Sequence, residues 1–191
     1  MSELTEIRWH ARGGQGAVTA SKMLAESALL EDKYVQAFPE YGAERTGAPI
    51  QSFTRLSDKP IDIHSQIAQP DIVLVLDETL IGAVDVTSGL KDDGKILVNT
   101  ADNPQEISEE LNAKDTQKVF TVNANKISKE EIGKVITNTP MIGALIKATS
   151  VVNIDKVITT IKKEFGKKFA KNILDGNINA IKRAYDEVKK G

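Results

Sequence analysis

A chain of 191 residues, 40% apolar and 27% charged, suits one soluble globular domain and is too short for two comfortable ones. Its net charge of −2 gives no reason to expect nucleic acid or an anionic membrane as partner. The absence of cysteine excludes disulfides, thiol catalysis and Cys-ligated iron–sulfur clusters on this chain, and two histidines, His10 and His64, are too few for a His-built metal site.

Residues 6–10 read as a short first strand, 12–16 as a glycine-rich turn, and 17–30 as a helix with Val18, Met23, Leu24 and Ala28 at helical spacing. Strand, glycine turn and helix open a Rossmann-like unit. A second strand is predicted at 34–38. Residues 39–49 hold two prolines and two glycines and form no regular element. A strand at 50–56, with a short companion at 61–63, makes a hairpin-like excursion from the parallel pattern. The run Ile72, Val73, Leu74, Val75, Leu76 between two aspartates suits a strand buried on both faces. Further strands are expected at 95–98 and 118–122, with helical segments near 78–84 and 104–111. Helices at 139–148 and 155–164 follow, and a last apolar stripe runs through Phe169, Ile173, Ile178, Ile181, Tyr185 and Val188. The expectation is one α/β domain over 1–191: a mostly parallel Rossmann-like sheet, helices on both faces, and a helical C-terminus. No leader pattern and no apolar run of about 18 residues is present, so the cytoplasm is the expected compartment.

The first candidate site is Ala11-Arg12-Gly13-Gly14-Gln15-Gly16, a dinucleotide-type pattern with Ala11 in the place of the first glycine. Gly13 allows close backbone approach to an anion, Gly16 allows the helix start to pack closely, and Arg12 adds positive charge. A tight turn without any ligand is the plainer alternative. An NAD or FAD site would need an acid at the end of the second strand, where Phe38-Pro39 stands instead, with Glu40 only a loose substitute.

The second candidate is the loop around Tyr41, Gly42, Glu44 and Arg45, an aromatic, acids and an arginine between glycines. The third is a set of strand ends, Asp77, Asn99 with Thr100, and Asn123, for which helix N-capping is the simpler reading. Trp9 reads as core, and His10 as a hydrogen-bonded structural residue. Positive charge gathers late: residues 160–191 hold nine Lys/Arg and four Asp/Glu. This is a solvated Lys-rich face or a docking surface for an acidic partner or a phosphate-bearing ligand.

Together these segments resemble the gamma subunit of 2-oxoacid:ferredoxin oxidoreductases, the pyruvate enzyme being the commonest member. The run from Ile7 to Gly16 is similar to that family's G-R-G-G-Q-G start. The run from Glu40 to Gly47 is similar to its Y-G-x-E-x-R-G-type loop, with Thr46 where arginine is commoner. Gln69-Pro70-Asp71-Ile72-Val73-Leu74 and Gly143-Ala144-Leu145-Ile146-Lys147-Ala148 match later segments. The resemblance implies a subunit that is not active alone, in a cytoplasmic hetero-oligomer with alpha-, beta- and delta-type subunits. The whole enzyme cleaves a 2-oxoacid, forms acyl-CoA and CO2, and passes electrons to ferredoxin. Thiamine diphosphate, Mg and iron–sulfur clusters are then expected on the partners, since this chain has neither cysteines nor a thiamine-anchoring G-D-G…N segment. Left for this chain are packing on the catalytic subunits and help in binding coenzyme A, through Arg12, Gly13, Gly14, Gln15, Gly16, Tyr41, Gly42, Glu44 and Arg45. A purely structural subunit and an independent dinucleotide-binding protein are the alternatives.

Overall fold

The computed structural model describes residues 4–40 and 46–191. Its strands are β1 (Leu4–Arg12), β2 (Tyr34–Pro39), β3 (Pro49–Ser57), β4 (Ile72–Val75), β5 (Lys95–Asn99), β6 (Lys118–Val122) and β7 (Lys189–Lys190). Its helices are α1 (Ala17–Leu29), α2 (Pro104–Glu110), α3 (Ala124–Ile132), α4 (Asn138–Thr149), α5 (Ile154–Phe165) and α6 (Lys171–Glu187).

The strands form one sheet in the order β2-β3-β1-β4-β5-β6-β7. The pairs β1–β4, β4–β5 and β5–β6 are parallel. Strand β3 is antiparallel to both β1 and β2. The excursion after the second strand is therefore a hairpin whose return strand is inserted beside β1, so that α1 carries the chain across one strand position.

Side-chain alternation along β1 sorts residues between the two faces. Ile7, Trp9 and Ala11 are fully buried in the larger core, with residues of α1, α3, α4, α5 and α6. The Trp9 indole N–H donates to Thr54 Oγ1 at 3.0 Å, which satisfies its one polar atom. On the other face Val73, Val75, Ile96, Val98 and Val119 pack with Leu80, Val86, Leu90 and Ile107, the last from α2. Helices cover both faces, but unequally. All four residues of β4 are buried, which explains its unbroken apolar run.

Several elements differ from expectation. The segment 78–84 holds only a 3-10 turn at Glu78–Leu80, started by Asp77 and followed by Gly82 at φ 81°, off the helical path. Residues 61–63 form no strand; the carbonyls of Ile61 and Ile63 accept from the side chains of Gln36 and Arg55. Helix α3 was not expected. It starts where the Asn123 side chain accepts the Lys126 N–H at 2.9 Å and ends at Gly133, φ 79°. Phe169 precedes α6 and is half exposed, so it is outside that helix's stripe. No helix of the described residues is long and apolar enough to cross a membrane.

Candidate functional site

The glycine turn lies where β1 ends and α1 begins, at the carboxyl end of the parallel strands, the usual ligand end of such sheets. The Gln15 N–H donates to Arg12 O at 3.1 Å and closes the turn. Gly14 (φ 96°) and Gly16 (φ 80°) adopt a left-handed backbone that side-chain-bearing residues avoid. Gly14 is exposed, and a Cβ there would meet no atom of the described residues within 4 Å. A Cβ on Gly16 would come 2.6 Å from Asn138 Nδ2, and that amide donates to Gly16 O at 3.4 Å. Gly16 therefore serves the approach of α4, an element that no pattern near the turn reveals.

The first bond of α1 runs from the Ala20 N–H to Gly16 O. The N–H groups of Ala17, Val18 and Thr19 thus have no acceptor within the helix, and no acidic side chain lies in its first turn. Partial positive charge at this end favours an anion.

Two groups of the turn are already engaged by other parts of the chain. Arg12 is not a free charge. Its guanidinium donates to Thr79 Oγ1 at 2.8 and 3.0 Å, to Thr79 O at 3.3 Å and to Gly47 O at 3.1 Å, and its Nε lies 3.6 Å from Asp77 Oδ2. The Gly13 N–H is also engaged, with Ala48 O at 2.9 Å, while Gly13 O accepts from the Gly47 N–H at 3.1 Å. No local sequence rule could pair Arg12 with Asp77, which lies far along the chain at the end of another strand.

Gln15 turns inward. Its Oε1 accepts the Arg12 N–H at 2.8 Å, and its Nε2 donates to Asp77 Oδ2 at 2.6 Å. Burial alone would raise the Asp77 carboxyl. Hydrogen bonds from the Thr79 side chain, Gln15 and the Thr79 N–H, with the charge of Arg12, outweigh it and hold Asp77 below the usual carboxylate range. Thr79 is a participant the sequence did not suggest.

Tyr41, Gly42, Glu44 and Arg45 lie outside the described residues. The described end of their loop, Gly47 and Ala48, is hydrogen-bonded to Gly13. Of the other strand ends, Asp77 and Asn123 act as N-caps. Asn99 is buried, and its amide donates to Leu76 O at 2.9 Å and to Asn125 Oδ1 at 3.1 Å. Thr100 Oγ1 accepts the Asp102 N–H. His10 is buried and accepts from Arg8 Nε at 3.0 Å; desolvation, and then the charge of Arg8, push its pKa down to about 3. It is a structural acceptor that burial holds towards the neutral form. Among the described residues no three His, Cys, Asp or Glu side chains gather as a metal site requires. A depression of about 330 Å³ is lined by residues 81–87, Glu110 and Leu111, and not by the turn.

Comparison with known proteins gives concordant results. Residues 6–187 match the family described as pyruvate ferredoxin/flavodoxin oxidoreductase. The chain is 47% identical over 184 residues to pyruvate synthase subunit PorC of Thermotoga maritima, covering 96% of this chain and 94% of that one. It is 47% identical over 186 residues to the pyruvate/ketoisovalerate oxidoreductases common subunit gamma of Pyrococcus furiosus, covering 97% and 98%. The crystal structure of pyruvate oxidoreductase subunit PORC from Thermotoga maritima superimposes with a TM-score of 0.87 at 42% identity, covering 100% of this chain and 99% of that one.

Proposed function

This chain belongs to the pyruvate ferredoxin/flavodoxin oxidoreductase family, and from that premise we propose that its own task is to help hold coenzyme A while packing on the catalytic subunits. It is a gamma subunit of a pyruvate/2-oxoacid:ferredoxin oxidoreductase complex, part of an enzyme of the pyruvate synthase type. In the proposed division of labour, thiamine diphosphate, Mg and the iron–sulfur clusters lie on alpha-, beta- and delta-type partners, which also hand electrons to ferredoxin. Coenzyme A comes to this chain as a co-substrate.

The observation that carries the reading is the ground over Gly14, open among the described residues, beside the first N–H groups of α1, which no side chain caps there. The phosphates of coenzyme A are strong acceptors, and a helix start with no competing acid suits them. Asp77, the nearby anion, already has Arg12 as counter-charge and accepts hydrogen bonds from Thr79 and Gln15. Gly14 is exposed among the described residues, so further burial of the ligand would come from a partner subunit closing over it. This matches a chain that works only within its complex.

Gly14→Asp and Gly14→Asn test the reading in the reconstituted complex. Both impose the same backbone strain and similar bulk, and only the first adds charge. The expected result is a KM for coenzyme A on the order of tenfold higher in the Asp than in the Asn variant, with CO2 release from the 2-oxoacid much less affected. Equal behaviour of the two would remove the anion from this site. A second reading, a purely scaffolding subunit, has one observation in its favour: Arg12 and the Gly13 N–H are already engaged by protein groups. Calorimetric titration of coenzyme A into the complex and into this chain alone separates the two.

A further inference from the structure

The structure assigns a positioning role to the side-chain pair Gln15 and Asp77: together they hold the glycine turn in the shape in which it meets an anion, and neither touches the ligand. This rests on the coenzyme A reading above. Beyond Gly13, which the Gly47–Ala48 backbone holds, the turn is weakly determined. It has one internal backbone bond, Gln15 N–H to Arg12 O, a long bond from the Asn138 amide to Gly16 O, and two glycines at positive φ that sample many conformations when unrestrained. An anion that had to order such a segment would bind with reduced affinity.

Gln15 removes that freedom because an amide carries an acceptor and donors together. Its oxygen takes the Arg12 N–H at the start of the turn, and its nitrogen reaches Asp77 beyond the end of β4. Asp77 is immobilised from its far side, where Oδ1 accepts the Thr79 N–H at 3.0 Å and the Thr79 hydroxyl at 2.6 Å. The chain of bonds therefore runs Arg12 backbone, Gln15, Asp77, Thr79, and Thr79 Oγ1 in turn takes the Arg12 guanidinium. The ring ties the turn to the end of β4 and puts none of its own atoms within 4 Å of a Cβ at Gly14.

The donor–acceptor polarity of the Gln15–Asp77 contact can be reversed, giving up only the 3.6 Å charge contact of Asp77 Oδ2 with Arg12 Nε. In a Gln15→Glu, Asp77→Asn double variant, the carboxylate introduced at position 15 accepts both from the Arg12 N–H and from the amide introduced at position 77. The oxygen of that amide still accepts from Thr79. Each single step lacks this match. Gln15→Glu alone sets two carboxylates against each other across a 2.6 Å contact.

The test is made in the reconstituted complex. Gln15→Glu should raise KM for coenzyme A by about tenfold or more, with a smaller change in kcat, and the double variant should return it to within about threefold of wild type. Amide exchange at residues 12–16 should quicken in Gln15→Glu and slow again in the double variant, whatever the ligand. Gln15→Met, which removes the brace without adding charge, replaces Gln15→Glu if that variant does not assemble. A wild-type KM in Gln15→Glu, unchanged exchange, or a double variant no better than the single would each overturn the assignment. The Gly14 pair separates the causes. If Gly14→Asp and Gly14→Asn behave alike, the coenzyme A reading has failed. If they differ while Gln15→Glu matches wild type, the brace alone has failed.

Discussion

Gly143 of α4 sits directly against the backbone of Ile181 in α6, so closely that a Cβ on Gly143 would overlap the Ile181 carbonyl oxygen. The obstacle is backbone, which cannot rotate away as a flexible side chain would. Gly143→Ala should therefore displace α6 and cost about 1–3 kcal/mol, despite alanine's better helix propensity. Urea unfolding of the chain measures this directly. An unchanged midpoint would mean that the two helices are not packed this tightly.

Arg55 illustrates a buried charge that organises irregular chain. It is 1% exposed, pairs with Glu6 at 2.8 Å, and donates to Gln36 Oε1 and to the carbonyls of Ile63 and Ser65. Arg55→Met strips all four acceptors at once and should cost about 3–5 kcal/mol. The loss should appear first as faster proteolysis within 61–67. The exposed Lys33–Asp58 pair has similar geometry, but Lys33→Ala should cost under about 1 kcal/mol, because water and salt already screen that pair.

His10 makes stability depend on pH in a defined direction. Its folded pKa is about 3 against 6.5 for the free side chain, with Arg8 and Asp85 as the charged groups acting on it and Arg8 the stronger. Between those values the unfolded chain holds a proton that the folded chain refuses. Stability from this residue is complete above about pH 6.5 and falls by up to about 1.4 kcal/mol for each pH unit below it, towards pH 3. His10→Gln keeps an acceptor for Arg8 and removes the titration. The wild-type minus variant stability should slope in this window and be flat above about pH 7. A flat difference throughout would show that His10 protonates freely in the fold.

Much of the sheet was legible because local pattern and burial coincide. The run Ile72 to Leu76 reads as a two-sided buried strand because residues from both faces do cover it. Gly13, Gly14 and Gly16 mark the β1–α1 turn because two of them adopt backbone angles that other residues resist. The position of β3 between β2 and β1 was not legible, since strand order is decided by contacts far apart in sequence. Helix α3 carries little sequence signal because only Ile127 and Ile132 of its nine residues are large and apolar. The site shows the same division. The turn was visible, but the engagement of Arg12 by Asp77 and Thr79 depends on β1 and β4 ending side by side. The Arg8–His10 contact is the exception: residues two apart share a strand face, and the period alone could have suggested it.

Asn99 couples this carboxyl edge to the site. It ends β5, is 1% exposed, and joins Leu76 O on one side to Asn125, in the first turn of α3, on the other, whose N–H its Oδ1 accepts at 3.3 Å. Leu76 immediately precedes Asp77, so the bond from Asn99 fixes the strand end on which the Asp77 carboxylate is mounted. Asn99→Leu has nearly the same shape but leaves a buried carbonyl and an amide N–H without their partner. The expected cost is about 1–3 kcal/mol, mostly from the buried Leu76 carbonyl, because Asn125 is exposed and its N–H can turn to water. Helix α3 should persist, since Asn123 still accepts the Lys126 N–H. Amide exchange should therefore quicken at residues 76–79 and in the Arg12–Gly16 turn more than along α3. Exchange confined to α3 would instead make Asn99 a simple helix anchor, with no hold on the turn.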